Sequence, residues 1–220
     1  MNKEKIFAVL TGDLVKSALF QSQRDEVLSY LKKILKTVEE FEKESDEFII
    51  FTEIFRGDSF QGVISNPHKS LRVALFIRAE LLKKRIKKEQ IDAKIAIGLG
   101  TIESLNREKI EESDGKAFQY SGRALDSQKK SRRLSILSYE KKLNNDFNLL
   151  TSLLDTIINS WSPEQAEAVA LWIRGETQKS ISKILGISQP AVHKRLKIAG
   201  VSALEDSISY FESVVQNISL

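Results

Sequence analysis

No cysteine occurs in the 220 residues, and histidine occurs only twice. Disulfides and thiolate metal centres are excluded, and a zinc site is not expected. No apolar stretch approaches the roughly 20 residues that cross a bilayer. The short apolar run near the start meets Gly12-Asp13 too early for a secretory leader and reads better as a strand. A cytoplasmic protein without a membrane partner is the expectation. Neither a Ser-His-Asp arrangement nor a nucleophile elbow is present. No internal repeat or low-complexity linker interrupts the chain. What is present is ordinary for a folded protein: 41% hydrophobic and 29% charged residues, with a net charge of +4. That charge mildly favours contact with nucleic acid. It is concentrated in runs such as Lys83-Lys84-Arg85-Ile86-Lys87-Lys88 and Lys129-Lys130-Ser131-Arg132-Arg133, which read as solvated faces. From Asn145 onward acids slightly outnumber bases.

Hydrophobic periodicity divides the chain. Ile6 to Thr11 suits a buried strand ended by Gly12-Asp13. A long helix follows from near Ser22, with Asp25 three residues on as a capping-box-like pair. Its apolar stripe is Val27, Leu28, Leu31, Ile34, Leu35, Val38 and Phe41. Phe48 to Phe55 and Phe60 to Ile64 read as a hairpin with Gly57-Asp58 at its tip. Asn66-Pro67 opens a second helix, and Ala93 to Leu99 is a further strand. A polar loop with a short helix spans 101–114. Gly115 to Asp126 leads into a helix whose start the pattern leaves open, and a last strand from Leu134 to Tyr139 completes this part. The order β-α-β-β-α-β predicts a ferredoxin-like antiparallel sheet with helices on one face. Beyond it the strand signals stop. The fold class is therefore α+β: a sheet domain over 1–142, then an all-α domain over 143–220.

The all-α part carries the clearest local grammar. Leu149, Leu150, Leu153, Leu154 and Ile157 mark a connecting helix. Ser162-Pro163-Glu164-Gln165 is a capping box with proline at the first helical position. Trp161 and Trp172 read as core. Thr177 to Leu196 then reads as two short helices about a tight turn. Ile181, Ile184 and Leu185 form the stripe of the first, Val192 and Leu196 that of the second. Ser182 faces the crossing, Gly186 makes the corner, and Ser188 caps the second helix. This is a helix-turn-helix, whose second helix can lie in a major groove of double-stranded DNA. That helix has no acid and offers Ser188, Gln189, His193, Lys194, Arg195 and Lys197 for phosphates and base edges. His68, beside Pro67, reads as a capping or surface residue.

In the sheet domain two carboxylates draw notice. Asp13 follows the first strand and Asp58 sits on the adjacent hairpin, so the topology can converge them at one sheet edge. Paired carboxylates suit Mg²⁺, which takes hard oxygen ligands and usually keeps phosphate oxygens as partners. The backbone amides of Leu14, Val15, Lys16 and Ser17 are then placed to face an anion. Read as turn residues, both aspartates need no metal, since each follows a glycine.

Three segments resemble class III nucleotide cyclases: AVLTGDLVKS (8–17) their first metal-binding segment, EIFRGDSFQGVI (53–64) their Gly-Asp hairpin, KIAIGLGTIE (94–103) their later Ile-Gly strand. The resemblance implies a palm-like sheet, a homodimer with sites at its interface, and metal-binding roles for Asp13 and Asp58. It places Asp126 and Lys130 where that family holds a nucleotide with Asn and Arg, and Ile54 where many members read adenine with Lys. A nucleotide-sensing domain is what these departures imply, with a metal-dependent nucleotidyl cyclase as the alternative. The combination of GDLVKS, RGDSF, IGLG and DGKAFQYSGRALD with a helix-turn-helix resembles the SatD family. The segment 162–196 is similar to sigma factor region four. Together these imply a DNA-binding regulator whose first domain dimerises or senses a nucleotide.

Overall fold

The computed structural model describes residues 5–40, 50–55 and 58–218. The first apolar run becomes β1 (Phe7–Leu14), the middle strand of five. The others are β2 (Ile50–Phe55), β3 (Ser59–Ile64), β6 (Ala93–Gly100) and β7 (Leu134–Ser138), in the order β2-β3-β1-β6-β7. β1 is antiparallel to β3 and to β6, β2 is antiparallel to β3, and β7 runs parallel to β6 at the edge. This is the expected ferredoxin-like order with one parallel strand added. β1 does not stop at Gly12-Asp13. Asp13 is laddered to Ser59 on one side and Lys94 on the other, so it is a strand residue and not a turn residue.

Alternation along β1 sends Ala8 and Leu10 to one face and Val9 and Thr11 to the other. The first face is covered by α1 (Arg24–Glu39) and α2 (Ser70–Leu82). The second is covered by α3 (Lys116–Asp126), which connects β6 to β7. Helices therefore lie on both faces, contrary to the one-sided expectation. A parallel β6-α3-β7 crossover must cross the sheet surface, and the first face was already taken. Glycine makes the crossing possible: a Cβ at Gly98 would run into the Ala117 carbonyl oxygen and the Ser121 amide.

Two local expectations fail for identifiable reasons. Ser22 does not cap α1. Residues Ser17–Gln23 form a 3₁₀ helix, α1 starts at Arg24, and the Ser22 hydroxyl bonds Gln23 instead. The run Lys83–Lys88 is no plain solvated face. It contains the hairpin β4 (Arg85–Ile86) and β5 (Glu89–Gln90), with Lys87 and Lys88 at φ 50° and 72° in its turn. Lys87 Nζ donates to Ser22 Oγ at 2.6 Å, and Lys16 Nζ pairs with Glu89 at 2.9 Å, so the hairpin pins the 3₁₀ segment. Phe41, Phe48 and Gly57 lie outside the described residues.

The remainder is helical: α4 (Lys141–Ile158), α5 (Pro163–Ile173), α6 (Gln178–Leu185), α7 (Gln189–Ile198) and α8 (Val201–Asn217). α4 packs on β7 and α5 packs on α2. α2 is thus covered by the sheet on one side and by α5 on the other, which is why it is apolar nearly all round. One hydrophobic cluster runs from Ala8 to Val215. Of the α4 leucines, Leu154 is buried, while Leu149 and Leu153 are more than half exposed. The buried stripe is instead Phe147, Thr151, Leu154, Asp155 and Ile158. The Ser162/Gln165 capping box is complete, and Trp161 is buried with its Nε1 donating to the Ala199 carbonyl.

Candidate functional site

The corner where β1 ends meets the start of β3. The Leu14 amide donates to the Asp58 carbonyl at 3.0 Å, which sets the main chains of Asp13 and Asp58 side by side. Asp58 lines a cavity of about 250 Å³ on the α1 side, together with Leu14, Ser17, Phe20, Gln21 and Arg24. Asp13 shares the α3 face with Thr11, by strand alternation. Both carboxylates are hard oxygen donors of the kind Mg²⁺ and Mn²⁺ take. Among the described residues no cluster of three or more metal-ligating side chains forms.

The expected anion cradle is narrower than the sequence implies. The Leu14 amide is spent on Asp58, and the Val15 amide donates to the Asp92 carbonyl at 2.8 Å. Neither can also face a phosphate. The chain turns at Lys16, φ 58°, and the 3₁₀ segment begins at Ser17. Lys16 and Ser17 are where main-chain amides become available. The Lys16 ammonium is engaged by Glu89, which holds the Glu89 carboxyl below its usual range through that hydrogen bond.

Lys94 is the residue that reading the sequence missed. It stands directly across from Asp13 in the β1–β6 ladder, and its Nζ reaches the Gln128 carbonyl at 3.5 Å. That contact places the segment just after α3 at the same sheet end. Asp126 closes α3 there, exposed, and Lys130 follows in an exposed turn. The signal was available: with Ile95, Ile97 and Leu99 facing the core, alternation puts Lys94 on the face of Asp13.

The second candidate surface is α6 with α7. Thr177 caps α6 and Ser188 caps α7, each accepting the amide of its helix's third residue. Gly186 sits at φ 63°, with its amide and that of Ile187 donating to the Ser182 carbonyl. Space does not require this glycine, since a Cβ there would touch nothing within 4 Å; the backbone conformation does. Ile181, Val192 and Leu196 are buried, but Ile184 is 55% exposed and is not part of the stripe. Ser182 is half-buried, and its hydroxyl turns back onto the Lys179 carbonyl of its own helix. Ser188, Gln189, His193, Lys194 and Lys197 are exposed. Arg195 differs from them: it is half-buried and its guanidinium lies 3.7 Å from Glu167 of α5.

A profile of the SatD family matches residues 7–205. The chain belongs to the SatD family. No curated protein sequence matches this SatD-family chain. Among solved structures it is similar to the guanylyl cyclase domain of the RhoGC fusion protein from the aquatic fungus Blastocladiella emersonii, described as a non-canonical dimer. Identity there is 17% and the TM-score 0.43, over 62% of this chain and 81% of that one. It is also similar to the GGDEF domain of DgcB from Caulobacter crescentus, solved with c-di-GMP: 15% identity, TM-score 0.46, 62% of this chain and 79% of that one. A third is the active GGEEF domain of a diguanylate cyclase from Vibrio cholerae: 20% identity, TM-score 0.42, 62% and 85% coverage. Among the described residues no helix of this SatD-family member is long and apolar enough to cross a membrane.

Proposed function

We propose that this SatD-family protein binds a nucleoside triphosphate, carried by Mg²⁺ or Mn²⁺, at the corner between β1 and β3. The observation that supports the reading is the Leu14–Asp58 main-chain bond, which sets Asp13, the residue before Leu14, beside Asp58 at one end of the sheet. Asp13 from the α3 face and Asp58 from the α1 side hold the cation just beyond the sheet end, and the Lys16 and Ser17 amides receive phosphate oxygens. The cation supplies charge neutralisation for the phosphates. Lys94, across from Asp13, adds a positive charge at the same end. The cavity beside Asp58, with apolar walls and Arg24 and Gln21 at hand, receives the planar part of the ligand. Calorimetric titration with ATP and with GTP in the presence of Mn²⁺ tests this. Binding is expected in the native chain and lost in both Asp13→Ala and Asp58→Ala; binding that survives both substitutions overturns the reading. Chromatography of the same mixtures separates sensing from turnover. A cyclic or linear product that disappears in Asp13→Ala replaces the sensor by a nucleotidyl cyclase.

A second reading, of the helical part, is favoured by the acid-free exposed face of α7. There Gln189 and His193 meet base edges of double-stranded DNA, while Lys194 and Lys197 meet phosphates. One such unit makes few phosphate contacts, so useful affinity requires a homodimer. Replacing both Lys194 and Lys197 by alanine is expected to lower the slope of log affinity against log salt by about 2. An unchanged slope excludes this docking. Arg195→Ala is expected to matter less, because Glu167 already engages its guanidinium. The two parts then form a regulator in which nucleotide state sets the DNA-bound state.

A further inference from the structure

Arg78 lies in the middle of α2 and is fully buried. A guanidinium withdrawn from water is costly unless its donors are met, and apolar residues of similar volume commonly serve stability as well. Its retention therefore asks for a role in registry, and its partners show which parts it registers. Nε and Nη2 fork onto the two oxygens of Asp92 at 3.0 and 2.8 Å, just before β6. Nη1 donates to Asp155 Oδ1 at 2.8 Å, and Nη2 also donates to Asn159 Oδ1 at 3.0 Å, both at the end of α4. The second oxygen of Asp155 accepts the amides of Arg133 and Leu134 at 2.9 and 3.2 Å, where β7 begins. Asp92 is held on its other side by the candidate corner: its carbonyl accepts the Val15 amide.

We propose that this chain of bonds makes the helical part a positioning device for the nucleotide corner. Asp155 and Asn159 orient Arg78, Arg78 orients Asp92, and the Asp92 carbonyl sets Val15 and with it the Asp13–Ser17 segment. Movement of α4 then reaches the corner through the Arg78 guanidinium, with the Arg133 guanidinium 3.7 Å from Asp92 beside it, and occupancy of the corner reaches α4 by the same route, as linkage requires. The consequence for a bound nucleotide rests on the reading of Asp13 and Asp58 given above; the mechanical link does not.

Amide hydrogen exchange of the full chain tests the link without ligand. Asn159 is exposed at the end of α4, so Asn159→Ala removes one acceptor from Arg78 with little risk to folding. The Val15 amide is expected to exchange roughly tenfold faster in this variant, with the Val9 and Leu10 amides unchanged. Asn159→Asp, which keeps the acceptor, is expected to restore the native rate, and Asp155→Asn to exceed the alanine effect. An unchanged Val15 rate, or one that rises by the same factor as Leu10, overturns the proposal. In a second arm, saturating GTP or ATP with Mn²⁺ is expected to slow exchange at Arg133 and Leu134 in the native chain, and not in Asn159→Ala. If no nucleotide binds the native chain, the site reading fails, and the ligand-free arm still decides the link. If nucleotide binds and leaves Arg133 and Leu134 unaffected, the link fails and the site stands.

Discussion

A methyl group added at Gly98 has nowhere to go. It would meet the backbone of α3 at Ala117 and Ser121, so α3 would have to lift from the sheet. Gly98→Ala is expected to destabilise by about 3 kcal/mol or more, the upper part of the overpacking range. Gly12 offers a contrast. There the added methyl would meet the ring of Phe60, which is buried against the α1 and α2 layer. A ring can be shortened by a second substitution, whereas a backbone cannot. Gly12→Ala is expected to cost about 1–3 kcal/mol in chemical denaturation and to be partly rescued by Phe60→Leu; Gly98→Ala is expected to resist rescue by any side-chain change. Because β1 carries both Gly12 and Asp13, the first substitution also reports whether the corner tolerates a shift of the strand.

The helices of the C-terminal part are held at their ends as much as along their faces. α5 has its complete capping box, and the Ser162 hydroxyl also donates to Glu164 at 2.7 Å. That bond holds the Glu164 carboxyl below the ordinary carboxylate range. A depressed carboxylate adds stability above its ordinary pKa and loses it as pH falls through the folded value. Acid is therefore expected to weaken the start of α5, slightly because the carboxyl is mostly in water, and Ser162→Ala to flatten this limb of the stability curve. α7 depends on Ser188 in the same manner. Ser188→Ala is expected to destabilise by about 1 kcal/mol in urea titration. Under the proposed docking of α7 on duplex DNA through Gln189, His193, Lys194 and Lys197, the same substitution is expected to weaken binding more than it alters the salt slope.

Across the whole chain the sheet and the helical part share one apolar cluster and the Arg78 junction. Both tryptophans, Trp161 and Trp172, belong to the helical part. Their fluorescence therefore reports the helical part and its seam with α2 and β5, while far-ultraviolet dichroism reports the whole chain. The two thermal unfolding curves are expected to coincide, as for one cooperative unit. Separate midpoints would mean that the sheet and the helices unfold independently. Asp155→Asn is the variant expected to pull the curves apart, because it removes the carboxylate joining α4 to Arg78 and to β7.

Much of this was legible in the chain by itself. The β-α-β-β-α-β order, the capping box at Ser162, the turn at Gly186 and the Ser188 cap of α7 are local, set by a few neighbouring residues and by backbone preferences, and the sequence determined them. The order of elements also put the end of β1 beside the start of β3, where the Leu14 amide meets the Asp58 carbonyl. Only the tertiary structure decided that α3 covers the second face, that β1 continues through Asp13, and that Lys94 stands opposite it. It alone spent the Leu14 and Val15 amides on Asp58 and Asp92, and turned Leu149, Leu153 and Ile184 outward. Arg78 shows the reason most plainly. Its spacing on α2 says only that a charge interrupts an apolar helix. What that charge does depends on carboxylates from Asp92 and Asp155, brought together by folding across distances that no local pattern records.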